Sequence, residues 1–428
     1  MASAEATLAK NLIGNNVGNL VFSQAVFRLL STESNDLKTS RLVNESAAQI
    51  NAGYDHLVIP LANAFRKSFL DSLNAMSDLL EQVTIPVSVV GVGAQATLKG
   101  SVRSADQVEP AVQRFVRAAL KRSPSIGVRG EFTQAYLRDL GFADDEIDVI
   151  GCPSMFMYGP DLNVQRRTAA LGPESRVALN ISPYVKAMGP ISVDHAERYP
   201  NLDYIAQDHL TLNLLLRGIY PSEAGAAATT TDVPVTLEHP LIRQDRVRFF
   251  LDPRTWIQHL TAYDFSFGTR IHGNIAAVLA GTPALVLAHD SRTLELAEYH
   301  RIPSRTLTDP ENIDAAALYA EADWEPLNRG HAERWQTFSA FLARHRLSHV
   351  YEEGQSAERF DAALAAASFP PPVHTLMGAD PEELYALKRA LREAKRALVK
   401  VRSQKPVQPH SRLGSVRRWV AAGLRRVR

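Results

Sequence analysis

Cysteine is almost absent from this chain. Cys152 stands alone among 428 residues, which excludes an intramolecular disulfide framework and any cysteine-rich zinc module. No run of about 18 apolar residues occurs, so no membrane-spanning helix is expected. The opening stretch MASAEATLAKNLIGNN has neither a basic start nor an apolar core, so no secretory signal is read there. The 13 histidines show no ligand spacing such as H-E-x-x-H, and no metal site is expected. Net charge is also nearly missing, with 47 Lys+Arg against 46 Asp+Glu. That balance conceals an asymmetry. From Asp380 to Arg428 there are 14 basic residues and 4 acidic ones, leaving 33 against 42 in the rest. The body is mildly acidic and the tail strongly basic.

What is present is ordinary globular material: 45% hydrophobic and 22% charged residues, which excludes a largely disordered chain. The length suggests two or three domains. Short β-rich runs (His56–Leu61, Pro86–Val92, Ile147–Gly151, Val177–Ile181, Val247–Leu251, Asp264–Gly268, Ala284–His289) alternate with helical patterns (Val17–Ser31, Phe65–Gln82, Val108–Lys121, Glu131–Leu140, Pro253–Leu260, Ile275–Ala280, Leu294–His300). Such alternation predicts βαβ units and an α/β fold with largely parallel sheets. We expect two Rossmann-like domains, residues 1–160 and 161–370, facing across a cleft, with a Pro/Gly-containing stretch around Cys152–Pro173 between them. Ligands in such sheets bind beyond the carboxyl ends of the strands. Tyr220–Val233 (YPSEAGAAATTTDV) reads as a loop, either a surface insertion or a lid.

After Phe369 the pattern changes. Pro370, Pro371 and Pro372 are expected to end the globular part. Leu384, Leu387, Leu391, Ala394, Leu398 and Val401 then recur at heptad spacing, predicting a short coiled coil over 380–403 and self-association through it. In 411–428, Leu413, Val416, Val420, Leu424 and Val427 share one helical face with Trp419 at its edge, and six arginines occupy the remainder. That composition predicts a basic amphipathic helix lying on an anionic membrane surface, not a nucleic-acid arm. The expected location is cytoplasmic, peripheral on the inner face of the plasma membrane.

Four stretches can carry chemistry. In FGTRIHGNIAAVLAGTP, Phe267–Pro283, a strand runs into a helix through Arg270, His272 and Asn274. An arginine and a histidine beside the free N–H groups of a helix start suit a compact polyanion. The plainer reading is a capping histidine and a surface ion pair. In SIGVRGEF, Ser125–Phe132, a short strand delivers Arg129 to its carboxyl end, where a guanidinium fits phosphate or carboxylate, or else a structural salt bridge. Gly91, Gly93 and Ala96 form a G-x-G-x-x-A pattern, a weak dinucleotide signature; close approach of backbone to a ligand is the better reading. Asn15, Gly18 and Asn19 precede the first long helix as a cap and turn or a second anion-facing helix start. Cys152, with no histidine partner evident, reads as a small buried hydrophobe.

Val128-Arg129-Gly130, Gly151-Cys152-Pro153-Ser154, and Gly268-Thr269-Arg270-Ile271-His272-Gly273 followed by Ala280-Gly281-Thr282-Pro283 together resemble the polysaccharide pyruvyl transferase family, over roughly Leu12 to Pro303. The resemblance implies a GT-B-like arrangement of the two domains. It also implies transfer of a pyruvyl group from phosphoenolpyruvate, the donor substrate with no further cofactor, to two hydroxyls of a surface glycan or its lipid-linked precursor, giving a ketal. Arg129, Arg270 and His272 match positions associated with phosphoenolpyruvate. Arg292 stands where members often have lysine, and Asn19 where an acidic residue is frequent. Asn15, Asn274 and Gly93 are added as substrate-binding residues. His272 is expected as general acid or phosphate contact, and Glu295 and Asp290 as bases, against the plainer reading that each is solvated or capping. Two other classes remain: a GT-B glycosyltransferase using a nucleotide sugar, and a non-catalytic scaffold of surface-glycan assembly. An NAD-dependent dehydrogenase rests on the weak glycine pattern alone.

Overall fold

The computed structural model describes residues 2–39, 45–95, 105–220, 232–308 and 312–375, together with Arg389, Leu391, Glu393 and Arg396. Met1–Gly378 form one compact unit and Ala379–Arg428 a second. In the second unit the four described residues are helical. The rest of the 380–403 heptads, the whole of 411–428, and 221–231 of the Tyr220–Val233 loop lie outside the described residues.

Among the described residues, ten short strands make two sheets. The first contains β1 (Leu57–Pro60), β2 (Val87–Val92), β3 (Ile126–Val128) and β4 (Ile147–Val149), in the order β1-β2-β3-β4. The second contains β5 (Val177–Asn180), β6 (Leu202–Ala206), β7 (Val247–Phe249), β8 (Phe265–Gly268), β9 (Ala284–Ala288) and β10 (Ser304–Thr306), ordered β10-β9-β8-β5-β6-β7. All pairings between these strands are parallel. Helices connect them, so both faces are covered. Strands buried on two faces then read as unbroken apolar runs: every residue of VSVVGV in β2 and of ALVLA in β9 is buried. This is the α/β architecture of two Rossmann-like domains.

In the second sheet the order reverses at β5, which has β6 on one side and β8 on the other. At such a switch point, connections leave to opposite sides and open a crevice at the strands' carboxyl ends. The N-terminal segment is pinned to that crevice. Val17 N–H donates to Gln207 O at 2.9 Å, His209 N–H donates to Asn15 O at 3.0 Å, and Asn16 bridges Asp208.

Among the elements that went unread in the sequence are β6, β10 and the helix Glu325–Arg344. A 20-residue helix spans about 30 Å, and this one serves both sheets. At its start Trp324 Nε1 donates to Ala284 O of β9 at 2.8 Å. Toward its end Phe338, Phe341 and Leu342 pack with Val90 of β2 and with Val26 and Leu29 of the helix Gly18–Leu30. The prolines 370–372 do not end the globular part either. Val373 pairs with Phe249 of β7, and the buried Thr375 donates its hydroxyl to Asp245 at 2.9 Å.

Candidate functional site

The carboxyl ends of both sheets line one pocket of about 360 Å³. From the first sheet come Ala62, Asn63 and Arg66 after β1, Gln95 after β2, and Arg129 after β3; from the second come Ser182 and Tyr184 after β5, Gln207 and Asp208 after β6, Thr269–His272 after β8, and His289 and Arg292 after β9. Asn15, Asn16 and Asn19 of the N-terminal segment close one side. The strand-end rule thus accounts for almost the whole lining.

Glycines set two of the approaches. Gly268 ends β8 with φ +135°, and a Cβ there would stand 2.1 Å from Asn180 O; only glycine makes that turn. Thr269 N–H then donates to Asn180 O at 2.7 Å, and the helix Ile271–Leu279 begins with Arg270 as an N-cap that makes no side-chain cap bond. A Cβ on Gly93 would lie 2.2 Å from Arg129 Nε, so the missing side chain is the space Arg129 occupies. Gly93 therefore supports the site without lining it.

Four guanidinium groups reach the pocket. Arg270 is paired with Asp208 and lies 5.4 Å from the ring centre of Tyr184. Arg292 is paired with Asp290, whose Oδ2 accepts from Nε at 2.7 Å, and also donates to the Tyr184 hydroxyl at 3.3 Å. Arg66 and Arg129 form no ion pair within 4 Å among the described residues. Arg66 donates to Asn63 O at 2.6 Å and Ser68 Oγ at 3.0 Å. Arg129 is buried and its Nε has no hydrogen-bond partner among the described residues. Burial, and then the charges of Arg292 and Arg129, pull the Arg66 pKa down; burial does the same to Arg129, opposed by Glu295. Burial is the larger cause in both, and the charge of Arg292 adds to it at each. The pocket stores positive charge.

His272 sits in the first turn of the Ile271–Leu279 helix, its Nε2 3.8 Å from Cys152 Sγ. Cys152 thus has a histidine neighbour that the sequence did not reveal, and its backbone N–H also donates to His300 Nε2 at 2.9 Å. Burial, Arg129 and Arg270 together push His272 down to about 3. In the unliganded protein it is a neutral imidazole at pH 7.

The remaining expected residues fall apart in position. Asp290 caps the helix Ser291–His300 through Thr293 N–H at 3.1 Å. Burial works to raise its pKa, but Arg292, His289 and the Thr293 bond outweigh that and hold it below the usual carboxylate value. Glu295 is turned away from the pocket and bonded to Thr133. Asn274 is fully buried beneath the site, donating to Gly268 O at 3.0 Å and accepting from Ser266 Oγ at 2.9 Å. It braces the turn that carries Arg270. Asn19 spends its amide on Ile13 O at 2.9 Å, and Asn15 Oδ1 accepts from Asn11 at 2.7 Å. Sequence reasoning missed Arg66, Tyr184, Gln207, Asp208 and His289. Arg66 and His289 follow strands the sequence did reveal, so the strand-end rule was signal enough; Asp208 follows the unread β6. No group of three or more His, Cys, Asp or Glu able to hold a metal occurs among the described residues.

Two parallel sheets meeting at an arginine-lined pocket define an α/β protein with its candidate site at the carboxyl ends of both sheets. The chain belongs to the polysaccharide pyruvyl transferase family, whose model matches residues 16–291. Membership makes polysaccharide pyruvyl transfer, in general terms, its class of activity. The matched stretch holds Arg66, Arg129, Arg270 and His272 and ends one residue short of Arg292. No curated protein matches the chain in sequence. Among solved structures it is similar to an uncharacterised protein of Klebsiella pneumoniae (11% identity, 69% of this chain and 89% of that one, TM-score 0.39). Others are a UDP-N-acetylglucosamine 2-epimerase from Listeria monocytogenes, itself so described provisionally (14%, 76% and 77%, 0.36), and HepE of Anabaena in complex with UDP-glucose (12%, 75% and 82%, 0.37). No helix among the described residues is long and apolar enough to cross a membrane.

Proposed function

We propose that the protein transfers the pyruvyl group of phosphoenolpyruvate to two hydroxyls of one sugar in a surface polysaccharide or its lipid-linked precursor. The observation that carries this is the pair Arg66 and Arg129: two guanidinia beside Arg270 and Arg292 that form no ion pair within 4 Å among the described residues, in a pocket of about 360 Å³. A phosphate and a carboxylate on adjacent atoms match that charge, and charge-assisted bidentate bonds are the strong kind.

The chemistry balances without an oxidant. C3 of the enol gains a proton, both hydroxyl oxygens bond to C2, and the C2–O bond to phosphate breaks. Of the two hydroxyl protons, one replaces that taken up at C3 and the other leaves with phosphate. His272 enters as a neutral imidazole because Arg129 and Arg270 disfavour its charged form. A bound dianion cancels that field and raises the histidine's pKa toward the range where it transfers protons. The arginines hold the donor and stabilise departing phosphate. Donor binding thus switches on the acid.

The test is a melting experiment followed by turnover. Phosphoenolpyruvate should raise the Tm, and incubation with acceptor glycans should release phosphate with a mass gain on the glycan. Stabilisation by UDP but not by phosphoenolpyruvate would overturn the proposal. For the segment 411–428 we propose reversible adhesion to anionic membrane, and for 380–403 self-association; vesicle binding that survives deletion of 404–428 would exclude the first.

A further inference from the structure

The pocket contains acceptors that the donor cannot satisfy. Gln207 is buried, and its Oε1 has no hydrogen-bond partner among the described residues; the same holds for Asp208 Oδ2, although Asp208 Oδ1 is held by Arg270. A buried oxygen left without a donor destabilises the fold, so such atoms mark places where a ligand supplies hydrogens. Ionised phosphoenolpyruvate has none to give, and a carboxylate repels it. Hydroxyl groups have them.

The same pocket is lined by Tyr184, on the loop after β5 at the switch point of the second sheet. It is 52% exposed, yet its surroundings are those of the pocket. Its ring lies 5.4 Å from the Arg270 guanidinium and 5.8 Å from the His289 ring, and its hydroxyl accepts from Arg292. The loop is anchored beneath it by Ser182 N–H to Thr269 Oγ1 at 2.8 Å and by a turn from Val185 N–H to Ser182 O at 2.9 Å. A fixed, half-exposed aromatic ring at the mouth of a polar pocket offers an apolar face at low entropic cost. The ring C–H face of a pyranose is its complement, leaving the sugar's edge hydroxyls to reach inward.

We infer that the acceptor sugar lies on the ring of Tyr184 and donates its hydroxyls to Asp208 and Gln207, on the second-sheet side of the pocket. The first-sheet side, with Arg66 and Arg129, is left to the donor. This assignment rests on the proposed transfer and adds the place of its second substrate. It also separates the two by charge: the anion goes where guanidinia are unpaired, and the neutral diol goes where a carboxylate is free on one oxygen.

The experiment uses the full chain without phosphoenolpyruvate. Saturation-transfer NMR is run with methyl β-glucopyranoside, methyl β-galactopyranoside and methyl 2-acetamido-2-deoxy-β-mannopyranoside, irradiating the aromatic protons. At least one glycoside should receive saturation at its ring C–H protons. Tyr184→Ala should weaken its binding about ten-fold, whereas Tyr184→Phe should keep it, both variants retaining the parent's circular dichroism. Phosphoenolpyruvate should not displace the glycoside. Saturation transfer unchanged in Tyr184→Ala, displacement by phosphoenolpyruvate, or no transfer to any of the three would each overturn the assignment. The donor proposal is judged apart from this, by whether phosphoenolpyruvate raises the Tm of the parent protein.

Discussion

Glu295 accepts two hydrogen bonds from Thr133, one from its backbone N–H at 2.7 Å and one from its hydroxyl at 3.1 Å. The two residues lie on helices that follow strands of different sheets. Glu295 lies on the helix Ser291–His300 that follows β9, and Thr133 lies in the first turn of the helix Glu131–Asp139 that follows β3. A carboxylate from a helix of the second sheet thus caps a helix of the first, satisfying an N–H that has no partner within its own helix. Thr133 Oγ1 also accepts from Ala94 N–H at 3.0 Å. The clamp therefore joins the end of β2, the start of the helix after β3 and the helix after β9 around Arg129.

From this geometry we expect Glu295 to act as a clamp and not as a base. Replacing it with alanine should cost about 1.5–3 kcal/mol, the usual range for hydrogen bonds to a charged group, measured by chemical denaturation. Glu295→Gln keeps an acceptor for the Thr133 N–H and should lose less. The decisive readout is turnover: Glu295→Gln should keep the parent's dependence of kcat on pH. A general base would lose a factor of about 10²–10⁴ in that variant.

Arg66 and Arg129 repel each other and Arg292 while no anion is bound, so their contributions to binding and to stability should have opposite signs. Arg66→Ala should weaken phosphoenolpyruvate binding by about 10- to 100-fold while leaving the unliganded Tm equal or higher. Calorimetric titration and a melting curve on the same sample check both halves. A drop in unliganded Tm together with unchanged affinity would make Arg66 a structural residue.

Gly93 offers a way to disturb Arg129 without removing it. An alanine methyl would stand 2.2 Å from Arg129 Nε and 2.4 Å from its Cδ, far inside contact distance, in a place where Arg129 is buried and cannot swing into water. Gly93→Ala should therefore reproduce much of the affinity loss of Arg129→Ala, roughly ten-fold or more, with the guanidinium still present. Affinity equal to the parent would mean that the guanidinium has a second productive position.

The alternation of short apolar runs with helical periodicity made both sheets legible, because strands buried on two faces cannot hide their composition. Arg129, Arg270 and His272 were legible because each stands just past such a run. What stayed hidden follows from the same physics. β6 is LDYIA and β10 is SRT, one broken by Asp203 and the other an edge strand with little apolar content. With β6 unread, Asp208 had no strand end to mark it. Partnerships were hidden altogether. Glu295 and Thr133 are 162 positions apart, and nothing local in either sequence foretells the clamp. Asn274 looked like a ligand because it is polar near a helix start, but its network with Ser266 and Asn180 forms only once β5 and β8 are paired.

The last expectation concerns acid. His345 follows the helix Glu325–Arg344 and lies buried under the first sheet, its Nδ1 2.7 Å from Ser88 Oγ and its Nε2 3.0 Å from Ser125 Oγ. Ser125 gives its hydroxyl hydrogen to Asp148, so it must accept from His345 Nε2–H, and Nδ1 then accepts from Ser88. That arrangement uses the neutral ring. Burial, with the charges of His56 and Arg344, pushes His345 down to about 4, and burial pushes His239 down to about 4 as well. A histidine whose folded pKa lies below its unfolded value of about 6.5 binds its proton more readily when unfolded. Its stabilising contribution is therefore complete above pH 6.5 and is lost as the pH falls from there toward 4. Carboxylates held low, such as Asp290, lose theirs only below that window. The Tm should accordingly be level above pH 7 and fall steadily between pH 6.5 and 4, with a shallower fall in His345→Gln than in the parent. A Tm that stays level from pH 7 to pH 4.5 would mean these rings accept protons without disturbing the fold.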